Sequence, residues 1–121
     1  MLIAARDVRV RRALSRLLEL AGDRIVGAAH ASRLVLDLDA EVAPDVVVLE
    51  LDRRNDPLDL QVVDALVRRG RAVIAVSSGS MRCPAVLAAG ARACLDKDAG
   101  FTDRLAEAVR AVAAGQRLPP R

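Results

Sequence analysis

Aromatic side chains are nearly missing from this 121-residue chain, in which Phe101 is the one ring and neither Trp nor Tyr occurs. That excludes an aromatic platform for stacking bases or sugars and leaves Leu, Val, Ile and Ala to build the core. Cysteine is scarce, with two residues, Cys83 and Cys94. So small a number fits a reducing compartment better than a disulfide scaffold, and their spacing matches neither a metal nor a redox pair. Both are therefore expected as free thiols, Cys94 packing as a small apolar residue. The single histidine, His30, is expected at the surface or an edge and cannot complete a Ser/His/Asp arrangement with Ser77. No apolar run approaches the ~20 residues that span a bilayer. A first strand starting at Leu2 leaves no room for a signal peptide, so a cytoplasmic location away from membranes is expected. No G-x-G-x-x-G follows that strand, where AARDVR stands instead. With no P-loop lysine either, nucleotide binding is disfavoured.

What is present points to one soluble domain. Hydrophobic residues make up 53% and charged residues 29%, with a net charge of +3 carried largely by arginine. Arg9, Arg12 and Arg16 share one stripe of the first predicted helix, read here as a solvated face that could also dock a partner. Short apolar runs alternate with helical periodicity from end to end. Leu2–Ala5 reads as a strand, and Val10, Leu14, Leu17, Leu18 and Ala21 recur at helical spacing before Gly22. A short strand over Arg24–Ala29 precedes a helix capped by Ser32, with Leu34, Val35 and Leu38 inward, which Pro44 stops. Val46–Leu51 is the most continuous apolar run, as a central parallel strand requires. A helix over Leu58–Arg69 follows, then a strand over Ala72–Val76 and a polar turn from Ser77 to Ser80. The fourth helix covers Met81–Ala89, with Pro84 predicting a late or irregular start. A strand over Arg92–Leu95 and a helix capped by Thr102, with Leu105, Val109 and Val112 inward, complete the pattern. The expected fold is a doubly wound (βα)₅ sandwich with a five-stranded parallel sheet, of the flavodoxin-like α/β class.

In such a sheet, ligand chemistry gathers at the carboxyl ends of the strands. Those ends bring together Ala5, Arg6 and Asp7, then Glu50 and Asp52, then Ser77, then Lys97.

Five segments in order, LIAARDVRVRRAL (2–14), APDVVVLEL (43–51), AVIAVSS (72–78), AGARACLDKDA (89–99) and LAEAVRAVAAGQRLPP (105–120), carry a family resemblance. The chain resembles a response-regulator receiver domain of two-component systems, CheY-like and closest in flavour to the receivers of NarL/FixJ-type transcriptional regulators. The resemblance implies that the phosphoacceptor aspartate falls on Glu50, the small hydroxyl position on Ser77 and the phosphate-pairing lysine on Lys97. It puts the two metal-binding acids on Ala5 and Arg6, the aromatic switch position on Cys94, and the usual Pro-Gly on Arg54 and Asn55. Where the family gathers three carboxylates and a lysine, Glu50, Lys97 and Arg6 sum to +1 here. Asp7 and Asp52 stand by as auxiliary acids, and Asp7 turned inward would bring the sum to zero. Mg²⁺ binding, and with it phosphotransfer, is expected to be lost. Arg6 would then occupy the metal's place and pair with Glu50, with Lys97 completing the network. The residues leave open whether Glu50 mimics a phosphorylated aspartate or is held in one fixed state.

The expected function is an atypical, phosphorylation-independent receiver, a regulatory and protein-interaction module rather than an enzyme. The receiver would span 1–115, and 116–121 would begin a linker, with Pro119 and Pro120, toward a helix-turn-helix domain absent from this chain. DNA contact would belong to that part. Partners are expected at the first helix, the last helix or the fifth-strand face, by dimerisation or with another protein. The alternatives are a small-molecule sensor with its ligand beside Arg6, Ser77 and Lys97, a stand-alone adaptor, and a competent phosphoacceptor using Glu50 or Asp52.

Overall fold

The computed structural model describes residues 1–5, 8–20, 27–29, 33–51, 57–77, 83–96 and 101–113. Five strands alternate with five helices: β1 (Leu2–Ala4), α1 (Val8–Leu20), β2 (Gly27–Ala29), α2 (Arg33–Val42), β3 (Val46–Glu50), α3 (Pro57–Arg68), β4 (Ala72–Ser77), α4 (Cys83–Ala88), β5 (Ala93–Asp96) and α5 (Phe101–Ala113). The strands form one sheet in the order β2-β1-β3-β4-β5, and every neighbouring pair is parallel. This is the doubly wound (βα)₅ arrangement expected from the alternation. Parallel neighbours need a crossover, and right-handed crossovers place helices on both faces.

Side-chain alternation along the strands sorts the core into two halves. Leu2, Ala4, Val47, Leu49, Val73 and Ala75 pack with Val35 of α2, Val62, Val63 and Leu66 of α3, and Val86 and Leu87 of α4. Ile3, Val48, Ile74, Val76, Ala93 and Leu95 pack on the opposite face with Leu14 and Leu18 of α1 and Leu105, Ala108, Val109 and Val112 of α5. β3 and β4 supply both halves, which explains why their sequences run apolar without interruption.

Several boundaries differ from the sequence expectation. α3 starts one residue early, at Pro57, because proline's fixed φ and missing N–H suit a first helical turn. α4 is described over Cys83–Ala88, ending one residue before the expected Ala89, while Met81 and Arg82, where the expected helix starts, lie outside the described residues. α5 begins at Phe101, which puts Thr102 inside the helix instead of at its cap. β4 extends to Ser77, so that residue belongs to the sheet and not to the following turn. The Ser32 cap, Gly22 and His30 lie outside the described residues.

The amino edge of the sheet is tied by a charge cluster with no counterpart in the sequence reading. Asp39 of α2 is fully buried. It accepts hydrogen bonds from Arg69 Nη1 at 2.9 Å and Arg71 Nε at 2.8 Å, both from the turn between α3 and β4. Arg69 Nη1 also donates to the Leu36 carbonyl at 2.9 Å. One carboxylate thereby joins α2, α3 and β4.

Ala43, just past the end of α2, has φ +44°, and its N–H donates to the Asp39 carbonyl at 2.9 Å. This left-handed residue is the helix terminator, a position that favours glycine because a Cβ crowds the following carbonyl. Ala43→Gly is expected to stabilise the fold by about 0.5–1 kcal/mol. A raised urea midpoint with an unchanged slope would show it, and a lowered midpoint would contradict it.

Candidate functional site

The strand order reverses between β1 and β3, and in open α/β sheets that switch point opens the crevice used for ligands. Glu50 is the last residue of β3 and is partly exposed. Its register partner is Val76, and the Leu51 N–H carries the ladder one step further onto the Val76 carbonyl at 2.8 Å. Ser77 follows as the last residue of β4, 3% exposed, in register with Asp96 at the end of β5. Ala5 follows β1 and is completely buried. Since Ala4 pairs with Leu49, the next step of the register sets Ala5 beside Glu50. The sheet therefore brings Ala5, Glu50 and Ser77 to one edge. Arg6, Asp7, Asp52, Arg54, Asn55 and Lys97 lie outside the described residues.

Four polar features of this edge were not singled out from sequence. Arg11, one turn into α1, reaches back so that its Nη1 donates to the Ala5 carbonyl at 2.8 Å. Arg104 of α5 does the same for β5, its Nη2 donating to the Asp96 carbonyl at 2.9 Å. Two guanidinium groups thus cap the ends of β1 and β5, satisfying carbonyls that have no next strand residue to bond. Asp59, 1% exposed, sits in the first turn of α3, where the helix dipole favours a negative charge. Asp96 keeps one carboxylate oxygen, Oδ1, buried without a hydrogen-bond partner among the described residues. Arg11 and Arg104 escaped notice because a long side chain can reach in several directions, and only the packed helices choose one.

The cysteines correct the sequence reading. Cys83, the first residue of α4, and Cys94, in the middle of β5, form a disulfide with Cα atoms 5.5 Å apart. They are not free thiols. They stand 11 positions apart in sequence, but the turn after α4 folds β5 back under its own helix. Cys94 remains buried against the α4 side of the core, as expected of a small apolar residue.

On α1, Arg9, Arg12 and Arg16 are all exposed, consistent with a solvated stripe. A shallow groove along that helix is lined by Val8, Arg11, Arg12, Ser15, Arg16 and Glu19. No helix among the described residues is long and apolar enough to cross a membrane.

Known structures share this architecture. The signal receiver domain of the NarL response regulator from Mycobacterium tuberculosis superimposes with a TM-score of 0.80 at 25% identity, covering 95% of each chain. The chain has the receiver fold. A LuxR-family DNA-binding response regulator from Silicibacter pomeroyi matches with a TM-score of 0.79 at 27% identity, over 99% of this chain and 95% of that one. The RcsB response regulator of Salmonella typhimurium matches at 19% identity and a TM-score of 0.78, over 99% of this chain but 62% of that one. No family model matches the sequence, and no curated protein matches it significantly. The neighbours are thus receiver domains of response regulators, some of them from DNA-binding regulators.

Within the receiver fold, the edge that holds Ala5, Glu50 and Ser77 is the carboxyl edge of the sheet. Chemically, the described part of that edge offers the partly exposed carboxylates of Glu50 and Asp96, the buried carboxylate of Asp59, the buried hydroxyl of Ser77 and the methyl group of Ala5. Among the described residues, no group of three or more His, Cys, Asp or Glu side chains could hold a metal ion. A hard dication needs several oxygen ligands, and Ala5 supplies no side-chain oxygen.

Proposed function

We propose that this chain is an atypical receiver module that signals through protein contacts without being phosphorylated. The observation that carries the reading is the pairing of the receiver fold with Glu50 at the end of β3 and a buried Ala5 at the end of β1. Phosphoryl transfer relies on a cation to neutralise charge on the transferring group, and this donor set fits Mg²⁺ poorly. Arg6 then stands in for the cation and pairs with Glu50, while Lys97 completes the network. Ser77, already held in the sheet, is left without a phosphoryl group to engage.

The output in this reading is regulated association, through α1, α5 or the face that includes β5, with a second copy or another protein. Receiver-fold neighbours from DNA-binding regulators support a parent protein that acts on transcription. DNA contact would then come from a separate domain following residues 116–121.

Incubation with Mg²⁺ and a small acyl phosphate, read by intact mass, tests this directly. The expected spectrum is unchanged. An adduct of about 80 Da, one phosphoryl group, would return the protein to the phosphoacceptors. A peptide map would then assign the group to Glu50 or Asp52.

A further inference from the structure

The structure assigns a role to the one covalent crosslink of the fold: we propose that Cys83–Cys94 is a reversible thiol–disulfide site whose redox state sets how firmly α4 is held against β5. This inference is independent of the proposed function, because it rests on the cysteine pair and the two elements it joins.

Of the two joined elements, α4 is the one with little else to hold it, whereas β5 is ladder-paired with β4 and buries Ala93 and Leu95 under α5. α4 has six residues, too few for a helix to persist on its own hydrogen bonds. Its second residue, Pro84, donates no hydrogen bond, and Pro84, Ala85 and Ala88 face solvent. Among the described residues, its buried side chains are Val86, Leu87 and the bridged Cys83. β5 is the last strand of the sheet order, bonded on one side to β4 alone. The bridge is therefore the single covalent tie between a short helix and an edge strand.

Burial makes the site selective. Cys83 and Cys94 are 4% and 3% exposed, so a reductant reaches them only when α4 lifts from the sheet. Local opening of that kind needs no disruption of β1, β3 or β4, which form the centre of the sheet. The ends of the bridge are also packed in the same core cluster as Leu66 and Ala75. Two thiols can occupy that apolar space without an unmet hydrogen-bond demand, so the reduced state remains folded.

The exchange partner is a dithiol. Its thiolate attacks one sulfur of the pair, the Cys83–Cys94 bond breaks, and a mixed disulfide forms. The second thiol of the reductant then resolves it. Two electrons and two protons pass to the cysteines, and the reductant leaves as its own disulfide. The reverse exchange with an oxidised dithiol restores the bridge.

The test equilibrates the full chain with dithiothreitol at graded ratios of its reduced and oxidised forms, traps thiols by alkylation and counts adducts by intact mass. Hydrogen exchange is followed on the same samples. The expected result is a folded reduced state carrying two adducts. In it, the amides of 85–89 exchange about tenfold faster than in the oxidised state, while β3 and β4 keep their protection. A Cys94→Ser chain should show the same fast exchange without reductant, and the reduced wild-type chain supplies the comparison if that variant fails to fold. Three results overturn the proposal. They are a bridge that yields only when the whole chain unfolds, a pair that never oxidises, and identical exchange of 85–89 in both states.

Discussion

An Arg69→Met/Arg71→Met double variant is expected to lose about 3–5 kcal/mol of stability, because it leaves the Asp39 carboxylate buried with neither guanidinium. Asp39 is wholly inaccessible, while the side chains of Arg69 and Arg71 keep 39% and 21% of their exposure. That asymmetry decides which deletion hurts more. Asp39→Ala strands two arginines that still reach water, so about 1–3 kcal/mol is expected. Either single arginine variant keeps one charge-assisted bond on the carboxylate and should fall below the double. Urea denaturation of the four variants checks the order. A double arginine variant no less stable than Asp39→Ala would show that the carboxylate finds other partners.

Gly90→Ala is expected to cost about 2–5 kcal/mol, the sum of a backbone and a packing penalty. Gly90 lies in the turn after α4 with φ +109°, a conformation that a Cβ disfavours. A methyl group built there would come within 2.7 Å of Val67 Cγ1. Gly70 is the internal control, since its φ is +84° but no atom lies within 4 Å of the added carbon. Gly70→Ala should therefore show the backbone part alone, about 1–2 kcal/mol. Adding Val67→Ala to Gly90→Ala should recover the packing part and leave the rest. A double-mutant cycle with no coupling between positions 67 and 90 would contradict the steric assignment.

The strands of this fold were legible because they are buried on both faces, and burial on both faces leaves runs such as VVVL that no exposed segment tolerates. Leu14 and Leu18 of α1, and Leu105, Val109 and Val112 of α5, were legible through helical spacing, since each helix buries one stripe. The same reasoning placed Glu50 and Ser77 at one edge, because a strand's end follows from where its apolar run stops. Asp39 was not legible. It stands four residues after the buried Val35, and its partners are 30 and 32 residues away in sequence. Only the packing of α2 beside the α3–β4 turn reveals the pair. The Cys83–Cys94 bridge was missed for a related reason. Cysteine number and spacing describe the chain, whereas pairing depends on the angle at which a six-residue helix returns to its strand. The carbonyl caps by Arg11 and Arg104 depend on rotamers, which periodicity does not encode.

The Asp39 cluster has one further consequence, which concerns where this protein can change. It fastens α2, α3 and β4 at the amino edge of the sheet, on the far side from Glu50 and Ser77. The anchorage of the scaffold and the residues of the candidate site thus draw on separate side chains. Substitutions around Glu50 can alter or abolish chemistry while the distant clasp continues to hold the architecture. A fold built in this way tolerates exchange of side chains at its carboxyl edge without loosening its scaffold.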